Sequence, residues 1–171
     1  MKHGIMILAI LTLFGCKNQE AMNQTERIKD TVTQLFVNTD NRNWNGVEAQ
    51  FASKVILDYS SLSGNPAAAL KPKDITGAWK TVLPGFTHTH HQIGNVLVDI
   101  THNKAHVFCY GTATHYLEDD NGNVRTVVGS YDFDLEKVNE DWKITTMTFN
   151  FKYQDGNSSL AQKAIEHVKS K

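Results

Sequence analysis

The sequence predicts an α+β fold in which a curved antiparallel sheet wraps round N-terminal helices. Two observations support this fold class. Apolar residues recur at helical spacing in much of the first half of the chain and at a period of two from residue 87 onwards. Tight-turn sequences separate the later β-patterned runs, which is typical of an antiparallel meander. Helices followed by a long antiparallel sheet is the order of an α+β domain.

The first sixteen residues have the features of a secretory signal rather than of a folded segment. Lys2 precedes a short apolar run that ends in Gly15 and Cys16, and this run is too short to span a membrane. The ending resembles a bacterial lipobox, in which Cys16 would be lipidated; the alternative is an ordinary signal peptide with a chance cysteine. Lys17 after the cysteine favours the outer membrane of a Gram-negative bacterium, on either its periplasmic or its surface side.

The boundaries follow from these patterns. Residues 1–16 are predicted to be signal peptide and lipobox, 17–24 a polar tether, 25–153 the folded domain and 154–171 a tail with a marginal helix. A domain of that length is large enough for one core.

Three helices are predicted in the first half of the chain, because apolar residues lie there on one helix face. The third helix ends at Pro84 and Gly85, since proline and glycine stop helices. The buried faces are expected to contain Ile28, Val32, Leu35 and Phe36 in the first helix, Trp44, Val47 and Phe51 in the second, and Ile75, Trp79, Val82 and Leu83 in the third.

The remaining elements are strands and one weak helix. A β-branched run, KVILDYSSL, predicts an early strand that ends in the loop SGNPAAALKP. Four long strands follow, turned by THNK, by EDDNGN with its Asn-Gly hairpin signal, and by NED. The tail places Ala161, Ile165 and Val168 on one face of a marginal helix.

Charge and cysteine content argue against a nucleic-acid partner and against an internal disulfide. The chain has 17 basic and 18 acidic residues and no basic stripe, so nothing indicates a nucleic-acid partner. Once Cys16 is lipidated, only Cys109 remains, and no internal disulfide can form. The membrane is expected to be contacted through the lipid anchor only.

Histidines are the candidate chemical groups. Alternation along a strand places His91 on one face with Ile93 and Asn95, and places His115 on a small, apolar face of the next strand. His91 and His115 could therefore face one cavity and share proton transfer, because imidazole titrates near neutral pH. The alternative is a pair of core histidines whose hydrogen bonds are satisfied.

A metal site is the weaker interpretation of the histidine-rich stretch. His88 and His90 share a face near the end of a strand, but neither a third ligand nor a known zinc spacing accompanies them. We therefore expect no metal and no other cofactor.

The order of four short sequences resembles the SnoaL-like branch of the nuclear transport factor 2-like superfamily over residues 25–153. The sequences are DNRNW at 40–44, LDYSS at 57–61, HQIGN at 91–95 and DWKI at 141–144. The resemblance implies a cone-shaped, cystatin-like α+β roll with a pocket, and a homodimer paired through the sheet. It does not imply one function, since such folds host enzymes and binding domains.

Scytalone dehydratases are the catalytic group of that superfamily that the chain resembles most. The resemblance implies that His91 and His115 serve as pocket histidines, that Asp40 orients a histidine, and that Tyr59 helps to hold a water. The alternative role of Asp40 is to cap the next helix. Three other matching positions differ from the dehydratase pattern: Thr39 replaces a tyrosine, and Gly129 and Tyr131 replace a serine and an asparagine.

Tyr131 and Asn95 are the candidate substrate-binding residues. Tyr131 could donate a hydrogen bond in the pocket, or could simply pack beside Phe133. Asn95 is expected on the pocket side of its strand with His91.

We therefore expect a cofactor-free dehydratase or isomerase that uses His/Asp acid–base chemistry on a small apolar substrate. The alternatives are a binding protein for a small hydrophobic ligand and an interaction module. The expected partners are a small hydrophobic molecule and a second copy of the chain.

Overall fold

A computed structural model describes residues 23–170 of the chain. The predicted signal peptide, the lipobox with Cys16 and residues 17–22 of the tether lie outside the described residues, so they stay predictions. Residues 23 and 24, assigned above to the tether, belong to the first helix, and Gln24 accepts a hydrogen bond of 2.8 Å from the indole of Trp142. No described helix is both long enough and apolar enough to cross a membrane.

Helices and strands follow one another in the predicted order, with helices first and a long meander afterwards. The helices are α1 (residues 23–40), α2 (Trp44–Gln50), α3 (Ser60–Ser63), α4 (Pro72–Lys80) and α5 (Leu160–Lys169), with a 3₁₀ turn at Leu83–Gly85. The strands are β1 (Phe51–Asp58), β2 (Ala68–Leu70), β3 (His88–Thr101), β4 (Lys104–Tyr116), β5 (Val124–Val138) and β6 (Asp141–Gly156).

The six strands form one mixed sheet in the order β2-β1-β6-β5-β4-β3. Strands β3 to β6 are antiparallel neighbours joined by tight turns, and β2 pairs antiparallel with β1. The exception is β1, which lies parallel to β6. The α+β class is confirmed, while the parallel pair is a feature that the expected antiparallel sheet lacked.

The core lies between the helices and one face of the sheet. The apolar face predicted for α1 is buried, with Ile28, Val32 and Leu35 fully inaccessible. Alternate residues of β4 and β5 cover it from the sheet side, among them Val107 and Phe133. Burying that apolar surface is the main favourable term in folding.

A second, smaller cluster joins the C-terminal helix to the domain. Leu160 and Ala164 of α5 are fully buried against Phe86 and Leu117. The tail therefore forms an ordered part of the domain, and its buried face is centred one residue before the predicted Ala161 and Ile165. A side-chain ion pair between Lys163 and Asp119 adds to this attachment.

Four local predictions were wrong in their boundaries. The third predicted helix ends at Lys80 rather than at Pro84, and the predicted strand KVILDYSSL ends at Asp58, with its last residues in helix α3. Phe51, predicted to end the second helix, begins β1, and the run SGNPAAALKP contains strand β2 rather than only a loop. The shift leaves Tyr59 just after β1, as the residue that precedes α3.

Candidate active site

A cavity of about 210 Å³ lies between the helices and the inner face of the sheet. Helices α1, α3, α4 and α5 form one side of it, and strands β3 to β6 form the other. Its lining is mostly apolar, but it also contains two histidines, one arginine and two tyrosines. The lining residues are Phe36, Thr39, Tyr59, Leu62, Trp79, Val82, Leu83, Phe86, His91, Ala113, His115, Arg125, Val127, Tyr131, Phe149 and Ala161.

Asp40 and His91 form a closely coupled pair at one side of this cavity. Asp40 is the last residue of α1, and its Oδ1 lies 2.7 Å from Nδ1 of His91. Its Oδ2 accepts a second bond of 2.7 Å from the backbone N–H of His91. Two contacts to one residue fix both the position and the ring orientation of the imidazole. The alternative role for Asp40 is not observed, because Asn43 caps α2.

Thr89 and Arg42 hold the carboxylate from its other side. The Thr89 hydroxyl donates to Asp40 Oδ1 at 2.8 Å and accepts from Arg42 Nη1 at 2.7 Å. Arg42 also donates to the backbone carbonyls of Thr39 and Leu83, at 2.9 and 2.7 Å. One guanidinium thus ties the end of α1 to the 3₁₀ turn and to β3. The backbone of Arg42 is left-handed, with φ of 58°.

The protonation of the pair follows from its surroundings. Burial alone would raise the pKa of Asp40, but the hydrogen bonds and charge of His91 and the hydrogen bond from Thr89 lower that pKa below its ordinary value. An ionised carboxylate only accepts hydrogen bonds, so His91 carries a proton on Nδ1. When His91 is neutral, its Nε2 is therefore an unprotonated nitrogen that can accept a proton from a substrate.

His115 lies beside His91, on the neighbouring strand β4 of the same cavity wall, in a different environment. The two ring centroids are 5.8 Å apart and the rings are perpendicular, while Phe86 lies 4.7 Å from His115. Burial, together with the charges of His91 and Arg125, lowers the pKa of His115 to about 3. Nδ1 of His115 is buried without a hydrogen-bond partner. His115 is thus a neutral imidazole at physiological pH with one ring nitrogen unoccupied.

Tyr59 and Tyr131 supply neutral hydroxyls to the same space. A hydrogen bond joins their side chains, and burial raises the pKa of each above its ordinary value, so both remain protonated donors. Tyr131 also stacks on Phe133 with ring centroids 5.6 Å apart. The two interpretations of Tyr131, packing and hydrogen bonding, are therefore compatible.

Two glycines make room for the aromatic side chains of the cavity. A Cβ at Gly111 would lie 2.3 Å from the ring of Tyr131, and one at Gly129 would lie 2.4 Å from the ring of Phe149. Real Cβ atoms do not approach so closely, so a larger residue at either position would displace an aromatic ring. The dehydratase pattern has a polar residue at the position of Gly129. In this chain the glycine leaves room for the ring of Phe149.

Asn95 was wrongly predicted to face the cavity. A bulge between Gly94 and Leu97 shifts the register of β3, and Asn95 adopts a left-handed conformation with φ of 54°. The extra residue reverses the alternation, so Asn95 is exposed and Val96 faces the core instead. His91 and Ile93 precede the bulge and keep the predicted orientation.

The other histidines of β3 do not contribute to the cavity. His88 and His90 are exposed, on the face of the strand opposite to His91. Within residues 23–170 no group of three or more histidine, cysteine or acidic side chains is placed to hold a metal ion.

Sequence reasoning missed four residues that shape the site. Arg42 and Thr89 position the carboxylate, while Arg125 and Trp79 line the cavity. Arg125 could have been found by alternation, because it shares a strand face with Val127 and Tyr131. No sequence pattern indicated the left-handed backbone of Arg42, so its contacts could not be predicted in this way.

The arrangement is suited to moving a proton in an apolar space. His91 is an oriented base backed by a carboxylate, and the tyrosine hydroxyls can donate to an oxygen that gains negative charge. Thr39, at the position of the second tyrosine of the dehydratase pattern, donates to the carbonyl of Leu35 at 2.7 Å and is engaged within α1.

Comparison with known proteins gives a family and several structural relatives. The sequence matches the profile of the SnoaL-like domain over residues 20–148. No curated protein matches it. The Kfla4162 protein from Kribbella flavida superposes with a TM-score of 0.78 at 22% identity, covering 83% of this chain and 99% of that one.

Two further solved structures have names that describe chemistry. One is a protein of Novosphingobium aromaticivorans DSM 12444 provisionally assigned as a scytalone dehydratase, with a TM-score of 0.70, 17% identity, and coverage of 82% of this chain and 91% of that one. The other is a type 2 hexachlorocyclohexane dehydrochlorinase, LinA, with a TM-score of 0.69, 14% identity, and coverage of 82% and 93%. At these identities the similarity shows the fold alone.

Proposed function

This chain belongs to the SnoaL-like domain family of the nuclear transport factor 2-like superfamily, and we propose that it is a cofactor-free dehydratase or isomerase that acts on a small apolar substrate. The observation that carries this proposal is the contact of 2.7 Å between Asp40 and His91 at the wall of an apolar cavity. A histidine whose tautomer is fixed by a carboxylate is a general base in many enzymes. A binding pocket alone has no need of such a pair.

The proposed step begins at Nε2 of His91. This nitrogen takes a proton from a substrate carbon, and the electron pair of the broken C–H bond forms a double bond as the leaving group departs. In a dehydration, the imidazolium of His91 returns its proton to the leaving hydroxyl, and water is released. In an isomerisation, by contrast, no group leaves: the electron pair of the broken C–H bond moves into an adjacent carbonyl group of the substrate to form an enolate, and the same proton is then returned to a different carbon.

Asp40 and the tyrosines have supporting parts in this step. The carboxylate stabilises the imidazolium that forms on His91, because the two groups are in direct contact. Of the two hydrogen-bonded tyrosines, the one that accepts from the other keeps a free hydroxyl proton, and it donates to an oxygen of the substrate as negative charge develops there. His115, neutral and buried, takes no proton in this scheme and contributes a hydrogen-bonding nitrogen.

The size of the cavity limits the substrate. A cavity of roughly 150 Å³ accommodates benzene, and the cavity here has about 210 Å³. We therefore propose a substrate of about one six-membered ring with small substituents. The names of two structural relatives, a dehydratase and a dehydrochlorinase, both denote eliminations, which is consistent with the proposed step.

A base-sensitive probe tests the proposed chemistry before the substrate is known. 5-Nitrobenzisoxazole loses the proton of its ring carbon to a base, its N–O bond breaks, and a coloured phenolate forms. We expect the domain to accelerate this ring opening and His91→Ala to lower the rate by about 10²–10⁴-fold, the usual contribution of a general base. His106→Ala, at an exposed histidine on the opposite face of the sheet, is the matched control. Equal rates for the His91→Ala and His106→Ala proteins would remove His91 from the chemistry.

Capture of a hydrophobic ligand without turnover is the second candidate function. It is favoured by the predominantly apolar lining and by the hydrogen bond between Tyr59 and Tyr131, which engages one of the two hydroxyl protons. Binding of 5-nitrobenzisoxazole with no acceleration over free imidazole would favour this alternative.

A further inference from the structure

Arg125 is a charged side chain in the wall of the cavity to which neither candidate function gives a role. It lies on β5 directly opposite His115 of β4 in the strand register, and both side chains line the same space. The side chain is half-buried, and burial lowers the pKa of its guanidinium. At physiological pH it nevertheless remains a cation, since arginine does not lose its proton in proteins.

The hydrogen bonds of Arg125 are incomplete. Its Nη2 donates to the side-chain oxygen of Gln154 at 3.1 Å, while its Nε–H is buried without a partner. Among residues 23–170 no carboxylate forms an ion pair with it. Gln154 is neutral, so the positive charge is not compensated by the protein surface that surrounds it.

The two other arginines differ in this respect. Arg27 faces Asp141 at 3.6 Å on the surface. Arg42 does not line the cavity, and its donors are engaged by backbone carbonyls and by Thr89. Arg125 is thus the one lysine or arginine among the described residues that line the cavity. A cation kept in a largely apolar wall without a counter-charge costs stability unless something else pairs with it.

We infer that Arg125 pairs with a carboxylate of the substrate, so that the cavity selects small apolar acids carrying one negative charge. The fork of the guanidinium matches a carboxylate in a bidentate geometry. One cation matches a monoanion better than a dianionic phosphate. This inference rests on the proposed function for the location of the site, but it concerns which molecules bind and not what happens to them.

The position of Arg125 also orients the bound acid. Arg125 and His115 are cross-strand neighbours, and His91 lies beyond His115 with ring centroids 5.8 Å apart. An acid held at Arg125 therefore places its carboxylate beside His115 and extends its apolar part along the cavity towards His91. The apolar end of the acid, away from the carboxylate, is then the part closest to the base His91.

Matched pairs of small probes test this selectivity without any need for turnover. Benzoate and benzamide have nearly the same shape but differ in charge, and 3-phenylpropanoate and 3-phenylpropanamide form a longer pair. Dissociation constants are measured at pH 7.5 by NMR titration of the ¹⁵N-labelled domain. We expect each acid to bind at least tenfold more tightly than its amide, a difference of about 1.4 kcal/mol.

Variants at two of the three arginines identify the source of the preference. Arg125→Met should remove it while leaving amide binding within about twofold, and Arg125→Lys should retain part of it. Arg27→Gln removes a surface arginine of the same charge and should leave the preference unchanged. Should Arg125→Met fail to fold, the Nε–H resonance of Arg125 in the unmodified domain provides the readout, because it should shift with benzoate and not with benzamide.

Several outcomes would overturn the inference. These are equal binding of acid and amide by the unmodified domain, an acid preference that survives in Arg125→Met, and failure of all four probes to bind at millimolar concentration. An acid preference that depends on Arg125 in a protein whose His91→Ala variant keeps its rate with 5-nitrobenzisoxazole would support acid selectivity while contradicting the proposed chemistry. The two failures are therefore distinguishable.

Discussion

His115 is buried in the domain as a neutral imidazole, and its burial lowers the free energy of unfolding at acidic pH. Its pKa in the folded protein is about 3, whereas an unperturbed histidine has a pKa of about 6.5. Between these values the unfolded chain binds a proton that the folded protein does not, so the free energy of unfolding falls as the pH falls. The stabilising effect of a neutral His115 is complete above about pH 6.5 and is lost progressively below it.

Replacing His115 should flatten this dependence. We expect the free energy of unfolding of the unmodified domain to fall between pH 6 and pH 5 by up to about 1.4 kcal/mol more than that of His115→Phe, because one full proton corresponds to that slope per pH unit. Urea unfolding at a series of pH values between 7.5 and 5 measures both slopes. The window stays above the range in which the lowered pKa of Asp40 contributes.

The matched control is His90→Phe, since His90 lies on the neighbouring strand with its side chain exposed. If the slope of the His115→Phe protein equals that of the unmodified domain, His115 is not the buried neutral imidazole described above.

Residue-scale prediction from the sequence succeeded where alternation and local motifs agreed. Strand parity places His91 and His115 on faces that meet, and the structure brings them together with Asp40 and the two tyrosines. Parity failed for Asn95 because a bulge adds a residue to β3. The pair Gly94-Asn95 was the available signal, since both residue types tolerate a left-handed backbone.

At the scale of the elements, α5 completes the wall of the cavity. Ala161 lines the cavity, and Ala164 of the same helix packs against Gly85 in the 3₁₀ turn. A Cβ at Gly85 would lie 1.9 Å from the backbone carbonyl of Ala164. The contact is between two backbones, so no side-chain rotation can relieve it.

Gly85→Ala should therefore detach α5 from the domain. We expect a loss of about 1–3 kcal/mol in the free energy of unfolding, the usual cost of overpacking. Faster hydrogen exchange should appear in residues 160–169, since the helix must move away from the turn. Urea unfolding and hydrogen exchange by mass spectrometry measure the two effects.

Gly77→Ala in α4 provides the opposite control, because its Cβ would meet nothing within 4 Å. Alanine is favoured over glycine in a helix by about 1 kcal/mol, so this variant should be more stable than the unmodified domain. Unchanged exchange of α5 in Gly85→Ala would show that the close approach does not hold the helix.

At the scale of the whole molecule, local sequence patterns predicted the pairing of strands that follow one another in the chain. The four long strands are joined by short turns, and periodicity with turn residues was sufficient for them. The parallel pairing of β1 with β6 joins segments about ninety residues apart, and strand β2 has three residues. Neither the β1–β6 pairing nor strand β2 is marked by a hydrophobic period in the sequence, because such pairing depends on packing in the folded core.

The outer face of the sheet has an apolar patch at the adjacent strands β3 and β4. Leu97 is 67% exposed and Tyr110 46% exposed, and Phe108 contacts Tyr110 with ring centroids 5.3 Å apart. Leu97 and Phe108 are paired across the two strands. Contiguous apolar surface of this kind commonly marks a protein interface.

We propose that this patch joins two copies of the domain, as the resemblance to its superfamily implies. The unmodified domain should be a dimer by multi-angle light scattering at micromolar concentration. The double variant Leu97→Lys, Tyr110→Lys should be a monomer, because four lysines would then be buried in an apolar contact between the two copies. Val138→Lys, which replaces an exposed apolar residue at the far end of β5, is the control and should remain dimeric. A monomeric unmodified domain, or a double variant that stays dimeric, would show that the outer face of the sheet does not pair the copies.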